Sequence, residues 1–262
     1  MKKLILILLV SGSVSQALAG ETYGLMMIVK GQVQVAKLKE QPMGAKVGTK
    51  VYPQDTIITG KDSRAKIVMS DRNIINVLPD TKLRIDQYIS ELKEKNVRLS
   101  LIEGKVRTNV EQKYDNNENR FEIKTPSAVV GVRGTQFATS YKRATNVTAV
   151  TTFRGEVIFR GLDALSNKQT EAVMVRRGET SENFDGKQPG TPVKMNPVEF
   201  KRVDKDTAVR KEDRPLDPMQ AGPPKNDIGQ IIAIKDRNDN LLGDSAKNII
   251  SKPAQVNIII ER

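Results

Sequence analysis

Val97-Arg98-Leu99-Ser100-Leu101 and, further on, Phe121-Glu122-Ile123-Lys124 alternate apolar and polar side chains at every step. A period of two sends alternate side chains to opposite sides of an extended strand, whereas a helix needs a period near 3.6. Val33-Gln34-Val35 repeats the pattern after Gly31, Ala65-Lys66-Ile67-Val68-Met69 does so loosely, and Val157-Ile158-Phe159 less strictly. Turn residues interrupt these runs: Gly44, Gly48, Pro53-Gln54-Asp55, Gly60-Lys61-Asp62, Asp71-Arg72-Asn73, Pro79-Asp80, Asp115-Asn116-Asn117 and Thr145-Asn146. Regularly spaced short strands with such turns predict an all-β fold from Tyr23 to about Val175. The expected architecture is a sandwich, a roll or a short β-solenoid of many short strands, with a Pro-rich C-terminal extension. A helix of ten or more residues fits only weakly, at Asp86 to Lys95, where no apolar face is convincing.

One small unit recurs. Gly31-Gln32-Val33, Gly104-Lys105-Val106 and Gly155-Glu156-Val157 each place Gly shortly before a β-branched residue. Gly within a strand marks a bulge or a close backbone approach, so three equivalent strand bends are expected. The unequal intervals argue against a fixed-period repeat.

Composition narrows function. The 262 residues contain no Cys, no His and no Trp. Disulfides, thiol nucleophiles, Cys or His metal ligands and a Ser-His-Asp triad are therefore excluded. The formal net charge is +12, from 43 basic and 31 acidic residues. Residues 20–160 hold 24 basic and 15 acidic residues, while residues 161–262 hold 17 and 16. The excess positive charge thus belongs to the first module. An anionic partner such as a phosphate- or carboxylate-bearing polymer or an acidic protein face would suit it. A solubilising surface charge is the plainer explanation.

The N-terminus reads as a secretory leader. Lys2 and Lys3 precede the apolar run Leu4 to Val10, and Ala17 and Ala19 place small residues before Gly20. Seven apolar residues are too few to cross about 30 Å of hydrocarbon, so cleavage between Ala19 and Gly20 is expected rather than anchoring. The short leader looks bacterial, which places the mature chain in the periplasm or outside the cell. Nucleic acid is not an expected partner there. No later stretch is long and apolar enough to suggest a membrane span.

Composition shifts after Arg177. Seven of the twelve prolines lie between Pro189 and Pro224, with charged residues filling the gaps. This reads as a linker or extended strap, with Phe184 and Val198-Glu199-Phe200 as points that could lie against the β module. Ile228 to Ile234 and Val256 to Ile260 read as further strands, with a turn at Asp236-Arg237-Asn238-Asp239-Asn240. The expected organisation is a signal peptide over 1–19, a β domain over 20–185, a Pro-rich strap over 186–226 and a hairpin segment over 227–262.

Motifs with catalytic potential are weak. Ser63-Arg64-Ala65-Lys66 matches the Ser-x-x-Lys of acyl-transfer enzymes, which need a helix to stack the lysine one turn from the serine. Here the four residues enter a strand, where positions three apart face opposite ways. Asp236-x-Asn238-x-Asn240 begins like a calcium loop, but Leu241 stands where Gly is required and Lys247 where Glu is required. A glycosidase-type carboxylate pair remains an option that no spacing supports. Asn146-Val147-Thr148 fits a glycosylation sequon, which a bacterial leader makes irrelevant. No catalytic, cofactor-binding or metal-binding residue is assigned.

The most distinctive string is Gly131-Val132-Arg133-Gly134-Thr135. It lacks the spacing of a phosphate loop. Pro126 ends the preceding strand because it cannot donate to a ladder. Gly131 and Gly134 permit a sharp bend or a positive φ, and Arg133 between them could bond backbone carbonyls at a corner. A structural role is favoured over ligand binding.

At this point the chain resembles the FecR family, named for a ferric-citrate signalling protein. Thr125-Pro126-Ser127-Ala128-Val129-Val130-Gly131-Val132-Arg133-Gly134-Thr135-Gln136-Phe137 is similar to that family's signature. Thr125, Pro126, Gly131, Val132, Arg133, Gly134, Thr135 and Phe137 carry the match. Gly31-Gln32-Val33, Val51 to Gly60, Ala65 to Asp71, Leu78-Pro79-Asp80-Thr81, Phe153 to Val157 and Arg177-Gly178-Glu179 follow in order, with Gln54 replacing a usual Gly. The resemblance spans about residues 24 to 185. It implies an extracytoplasmic all-β binding module without catalytic residues. Signalling members relay the state of an outer-membrane transporter to a cytoplasmic sigma factor through a retained membrane helix. A cleavable leader counts against that role here.

Three readings follow. The leading one is a non-enzymatic secreted module that binds an envelope protein or anionic envelope polymer, in signalling or assembly. The others are a self-assembling structural or matrix component and a glycan-acting hydrolase. Oligomeric state is left open.

Overall fold

The computed structural model describes residues 23–90, 94–111, 114 and 119–208. The leader, the cleavage site at Ala17, Ala19 and Gly20, residues 209–226 of the Pro-rich strap and the C-terminal strands lie outside the described residues. The chain divides into units of 1–208 and 209–262.

The described part is a single β network folded into two leaves. The first leaf runs, in spatial order, β4 (Lys50–Val51), β1 (Gly24–Lys30), β6 (Arg64–Met69), β7 (Ile74–Val77), the C-terminal half of β9 (Lys95–Asn109), β12 (Gln136–Lys142), β13 (Val147–Arg154), β16 (Glu179–Phe184) and β17 (Val193–Lys194). The second runs β3 (Met43–Gly44), β2 (Val33–Ala36), β5 (Thr56–Thr59), β8 (Thr81–Ser90), the N-terminal half of β9, β10 (Asn119–Lys124), β11 (Ala128–Val132), β14 (Glu156–Gly161) and β15 (Val173–Arg176). Long β9 belongs to both and joins them. All pairings are antiparallel except β9 with β10, where Val97 aligns with Phe121 and Leu99 with Ile123.

The alternation read from sequence becomes the core. Val97, Leu99 and Leu101 of β9 and Phe121 and Ile123 of β10 point inward, as do Met26, Ile67 and Phe137 of the facing leaf. One hydrophobic cluster draws on both leaves, with Phe121, Phe137 and Phe159 among its largest buried side chains. Burying each such ring stabilises by about 1.5–3 kcal/mol.

The recurring Gly units sit where the chain changes leaf. Gly31 separates β1 from β2, Gly155 separates β13 from β14, and Gly104 lies inside β9 at the crossing. Gly104 requires the absence of a side chain. Its φ is +93°, and a Cβ there would meet the Asp80 carbonyl at 2.5 Å and the Thr81 Cα at 2.6 Å. Backbone cannot move aside as a flexible side chain can, so no other residue fits. Gln54, where the family resemblance leads one to expect Gly, also adopts a left-handed φ of +75°. Its amide donates to the Asp86 carbonyl, an anchor that offsets the backbone strain.

Two expectations change. Asp86 to Ser90 is the end of strand β8 and Lys95 begins β9, so the weak helix expectation at Asp86 to Lys95 fails. Ile85 and Tyr88 are drawn into the core from this strand, which holds it extended. The helix lies instead at α1 (Pro197–Thr207), inside the segment read as a strap. Pro197 opens it and the Asn196 side chain accepts from the Glu199 N–H at 2.8 Å, a pre-organised start with a side-chain cap. At 11 residues it is too short to hold alone in water, and it is held by tertiary contact. Phe200 packs on Phe153 of β13 with ring centroids 5.6 Å apart, and Arg107 of β9 bonds its C-terminal turn. The expectation that Val198-Glu199-Phe200 touches the β module is thus met at Phe200, while Val198 is exposed. No helix among the described residues is long and apolar enough to cross a membrane.

Candidate functional site

The signature residues form the corner where β10 turns into β11 and β11 passes to the other leaf. Thr125, Ser127 and Thr148 are buried, and their hydroxyls meet at one point. Thr148 Oγ1 lies 2.7 Å from Thr125 Oγ1 and 2.8 Å from Ser127 Oγ. The Thr125 N–H donates to the Ala128 carbonyl at 2.9 Å, closing the turn over exposed Pro126. Buried hydroxyls are costly unless bonded, so this cluster ties the β10–β11 corner to β13 of the opposite leaf. Val132 and Phe137 enter the core. Gly134 takes the left-handed bend with φ +65°, whereas Gly131 stays in ordinary strand geometry within β11. Thr135 is fully buried, and its backbone carbonyl accepts from the Val110 N–H at 2.9 Å. Arg133 is exposed at the rim.

Gly131 and Arg133 point away from the core, onto the outer face of the second leaf. That face is built by the same alternation that builds the core. Lys82, Arg84 and Asp86 come from β8, Arg98 and Ser100 from β9, and Arg120, Glu122 and Lys124 from β10. Ile158 and Arg160 come from β14. Two shallow grooves run across it. One, of about 340 Å³, is lined by Arg84, Asp86, Arg98, Ser100 and Lys124. The other, of about 530 Å³, is lined by Arg120, Glu122, Gly131, Arg133, Ile158 and Arg160. Asp86 is engaged within the face. It accepts from Arg84 Nε at 2.5 Å and from Ser100 Oγ at 2.5 Å. Cations outnumber carboxylates in both grooves, so the face presents a positive potential.

Other candidates are absorbed by structure. Ser63 is buried in a turn, where its hydroxyl accepts from the Gln32 N–H at 2.8 Å and donates to the Lys61 carbonyl at 2.9 Å. Asn146 of the sequon sits at a left-handed turn, accepting from Tyr141 Oη at 2.9 Å and donating to Asp185 at 2.6 Å. Burial raises the Asp55 carboxyl above its ordinary value, yet that carboxylate serves a turn, accepting from the Tyr52 N–H at 2.9 Å. Among the described residues no group of three or more acidic side chains is placed to hold a metal ion.

Sequence reasoning located the charge excess in this module but not on one face. The signal was available in the outward positions of the alternating runs, where Arg98, Arg120 and Lys124 stand. Which strands lie side by side could not be read from it.

The fold and the basic face define an all-β scaffold that presents a charged sheet surface. Residues 55–158 match the family described as FecR protein, and the chain carries a FecR domain over that span. Two crystal structures of a "putative anti-sigma factor" from Parabacteroides distasonis are also similar to the chain. They are 15% and 14% identical to it, with TM-scores of 0.45 and 0.44. Each alignment covers 57% of this chain and 64% of that one. No curated protein matches the sequence.

Proposed function

We propose that the chain is a non-enzymatic binding module of the bacterial envelope, exported by its leader, that captures an anionic partner on the outer face of its second leaf. The observation that carries this reading is the gathering of Arg84, Arg98 and Lys124 in one groove and of Arg160 in the other on one sheet face. Preorganised guanidinium groups suit carboxylate and phosphate oxygens, because each presents paired N–H donors in a fixed plane. The FecR domain supports a role in envelope signalling or assembly. The leader-type pattern of Lys2, Lys3, Ala17, Ala19 and Gly20 supports export.

The partner is an acidic envelope polymer or the acidic face of an envelope protein, and the same test separates them. The chain from Gly20 onward is titrated with a polyuronate, a polyphosphate and envelope extract, alongside an Arg84→Glu/Arg98→Glu/Lys124→Glu variant. Binding that weakens with salt and is lost in the variant supports the reading. Equal capture by both proteins overturns it. Retention of a stoichiometric protein from the extract, with no affinity for either polymer, assigns the face to a protein partner.

A further inference from the structure

The outer face of the other leaf carries a larger groove, of about 680 Å³, beside helix α1. Its rows follow from the register. Lys105 aligns with Ser140, Ser140 with Ala149, and Ala149 with Glu182. The next row sets Lys142 beside Val147 and Val147 beside Phe184. The floor is therefore the small pair Ser140 and Ala149. Lys105 stands at one end and Glu182 at the other, and Val203 of α1 and Phe184 give apolar walls. Three strand spacings separate the charged ends, about 14 Å.

Lys105, Lys142 and Glu182 make no ion pair among the described residues. Opposite charges thus stand apart across a trench with a small-residue floor. A ligand that satisfies both ends carries an anion and a cation about 14 Å apart, joined by a thin body. A fully extended chain of about four residues spans that distance. We propose that this trench binds a short extended peptide with free ends, its carboxylate at Lys105 and Lys142 and its amine at Glu182. The Ser140 hydroxyl on the floor offers its backbone a polar partner, and Thr151 and Thr180, whose hydroxyls lie 3.1 Å apart, line the trench beside it.

The surroundings of Lys105 agree. Partial burial, then repulsion from Lys142, hold its ammonium below the ordinary lysine value, with Asp206 of α1 opposing and Arg202 adding to the effect. A bound carboxylate relieves that repulsion. This inference is independent of the basic face, which lies on the opposite leaf.

Calorimetric titration of the whole chain with tetra-alanine bearing free termini tests it, with the N-acetylated and C-amidated forms and dialanine as comparisons. Saturable binding of the free tetrapeptide is expected, weakened about tenfold or more by blocking either end, since each end loses a charge-assisted hydrogen bond. Dialanine, too short to span the trench, binds at least as weakly as the blocked forms. Glu182→Gln weakens the free peptide and leaves the acetylated one unchanged, and Lys105→Met does the same for the free and amidated pair. No saturable binding, blocked peptides that bind as well as the free one, or Glu182→Gln indifferent to the peptide's amine would each overturn the proposal. Blocked peptides on the unmodified chain keep the test intact if a variant fails to fold.

Discussion

The guanidinium of Arg107 lies 4.0 Å above the ring of Phe153, and both are buried beneath helix α1. The same guanidinium donates to the Asp204 carbonyl and to Thr207 Oγ1, each at 2.9 Å, and pairs with the Asp204 carboxylate at 2.7 Å. The Asp204 carbonyl also accepts from the Ala208 N–H at 3.0 Å, and a cation at the C-terminal turn of a helix complements its dipole. One side chain of β9 thus holds an element about a hundred positions later in the chain. That helix forms one wall of the peptide trench.

Replacing Arg107 by Ala is expected to cost about 2–4 kcal/mol, from the lost ring contact and the charge-assisted bonds. Urea unfolding checks it. Arg107→Lys recovers little, because one ammonium cannot lie flat on the ring while replacing both the Nη1 bonds to the Asp204 carbonyl and Thr207 Oγ1 and the Nη2 contact to the Asp204 carboxylate. Limited proteolysis should cut within 197–207 in the Ala variant and spare it in the wild type.

Thr148 is the meeting point of the signature corner, so Thr148→Val is expected to destabilise more than its small change of volume suggests. Valine keeps the shape and removes the shared partner, leaving Thr125 with only its 3.4 Å contact to the Ala128 carbonyl and Ser127 without its bond to Thr148. Stranded buried hydroxyls cost about 1–3 kcal/mol. Thr151→Val is the control. Its hydroxyl, 3.1 Å from Thr180 Oγ1, is only part-buried. A loss at Thr148 no larger than at Thr151, read from thermal midpoints, would remove the corner's role.

Alkaline pH should attack one specific cluster. Tyr88 and Tyr114 surround Asn73, whose amide lies 3.0 and 3.1 Å from their hydroxyls, and Tyr88 donates to Asp71 at 2.9 Å. Burial, reinforced by the Asp71 charge, raises both phenols above their ordinary value. Tyrosine in the unfolded chain ionises near about pH 10. Above that pH the folded state retains protons that the unfolded state releases, so stability is complete below it and falls as pH climbs beyond. The expected slope reaches about 1.4 kcal/mol per pH unit for each tyrosine. Tyr114→Phe should flatten that fall, while losing about 1 kcal/mol at neutral pH from the missing hydrogen bond. Denaturant melts between pH 8 and 11 test it, and an unchanged slope would count against the buried pair.

Much of this was legible in order along the chain. The alternation at Val97 to Leu101 and Phe121 to Lys124 is a local property, and strand character follows from it without knowledge of any neighbour. Gly104 could be marked as a bend for the same reason, because a glycine before a β-branched run is a local signal. The string from Thr125 to Phe137 was recognisable as a signature. The cause of its Thr was not legible, because Thr148 reaches it from another strand on the other leaf. Helix α1 was missed although Asn196, Pro197 and Glu199 spell a capped start, because a segment of 11 residues is too short to hold alone and its support comes from Arg107 and Phe153.

Residue type and short-range spacing are enough for the all-β class, the sites of the bends and the sign of the module's charge, because each is a local property of the chain. Tertiary structure alone decided which strands stand side by side. That choice gathers Arg84, Arg98, Lys124 and Arg160 on one outer face and sets Lys105 across from Glu182 on the other. Strand pairing is settled by burying one common core from both leaves, and the surface charges are carried to their places by that burial.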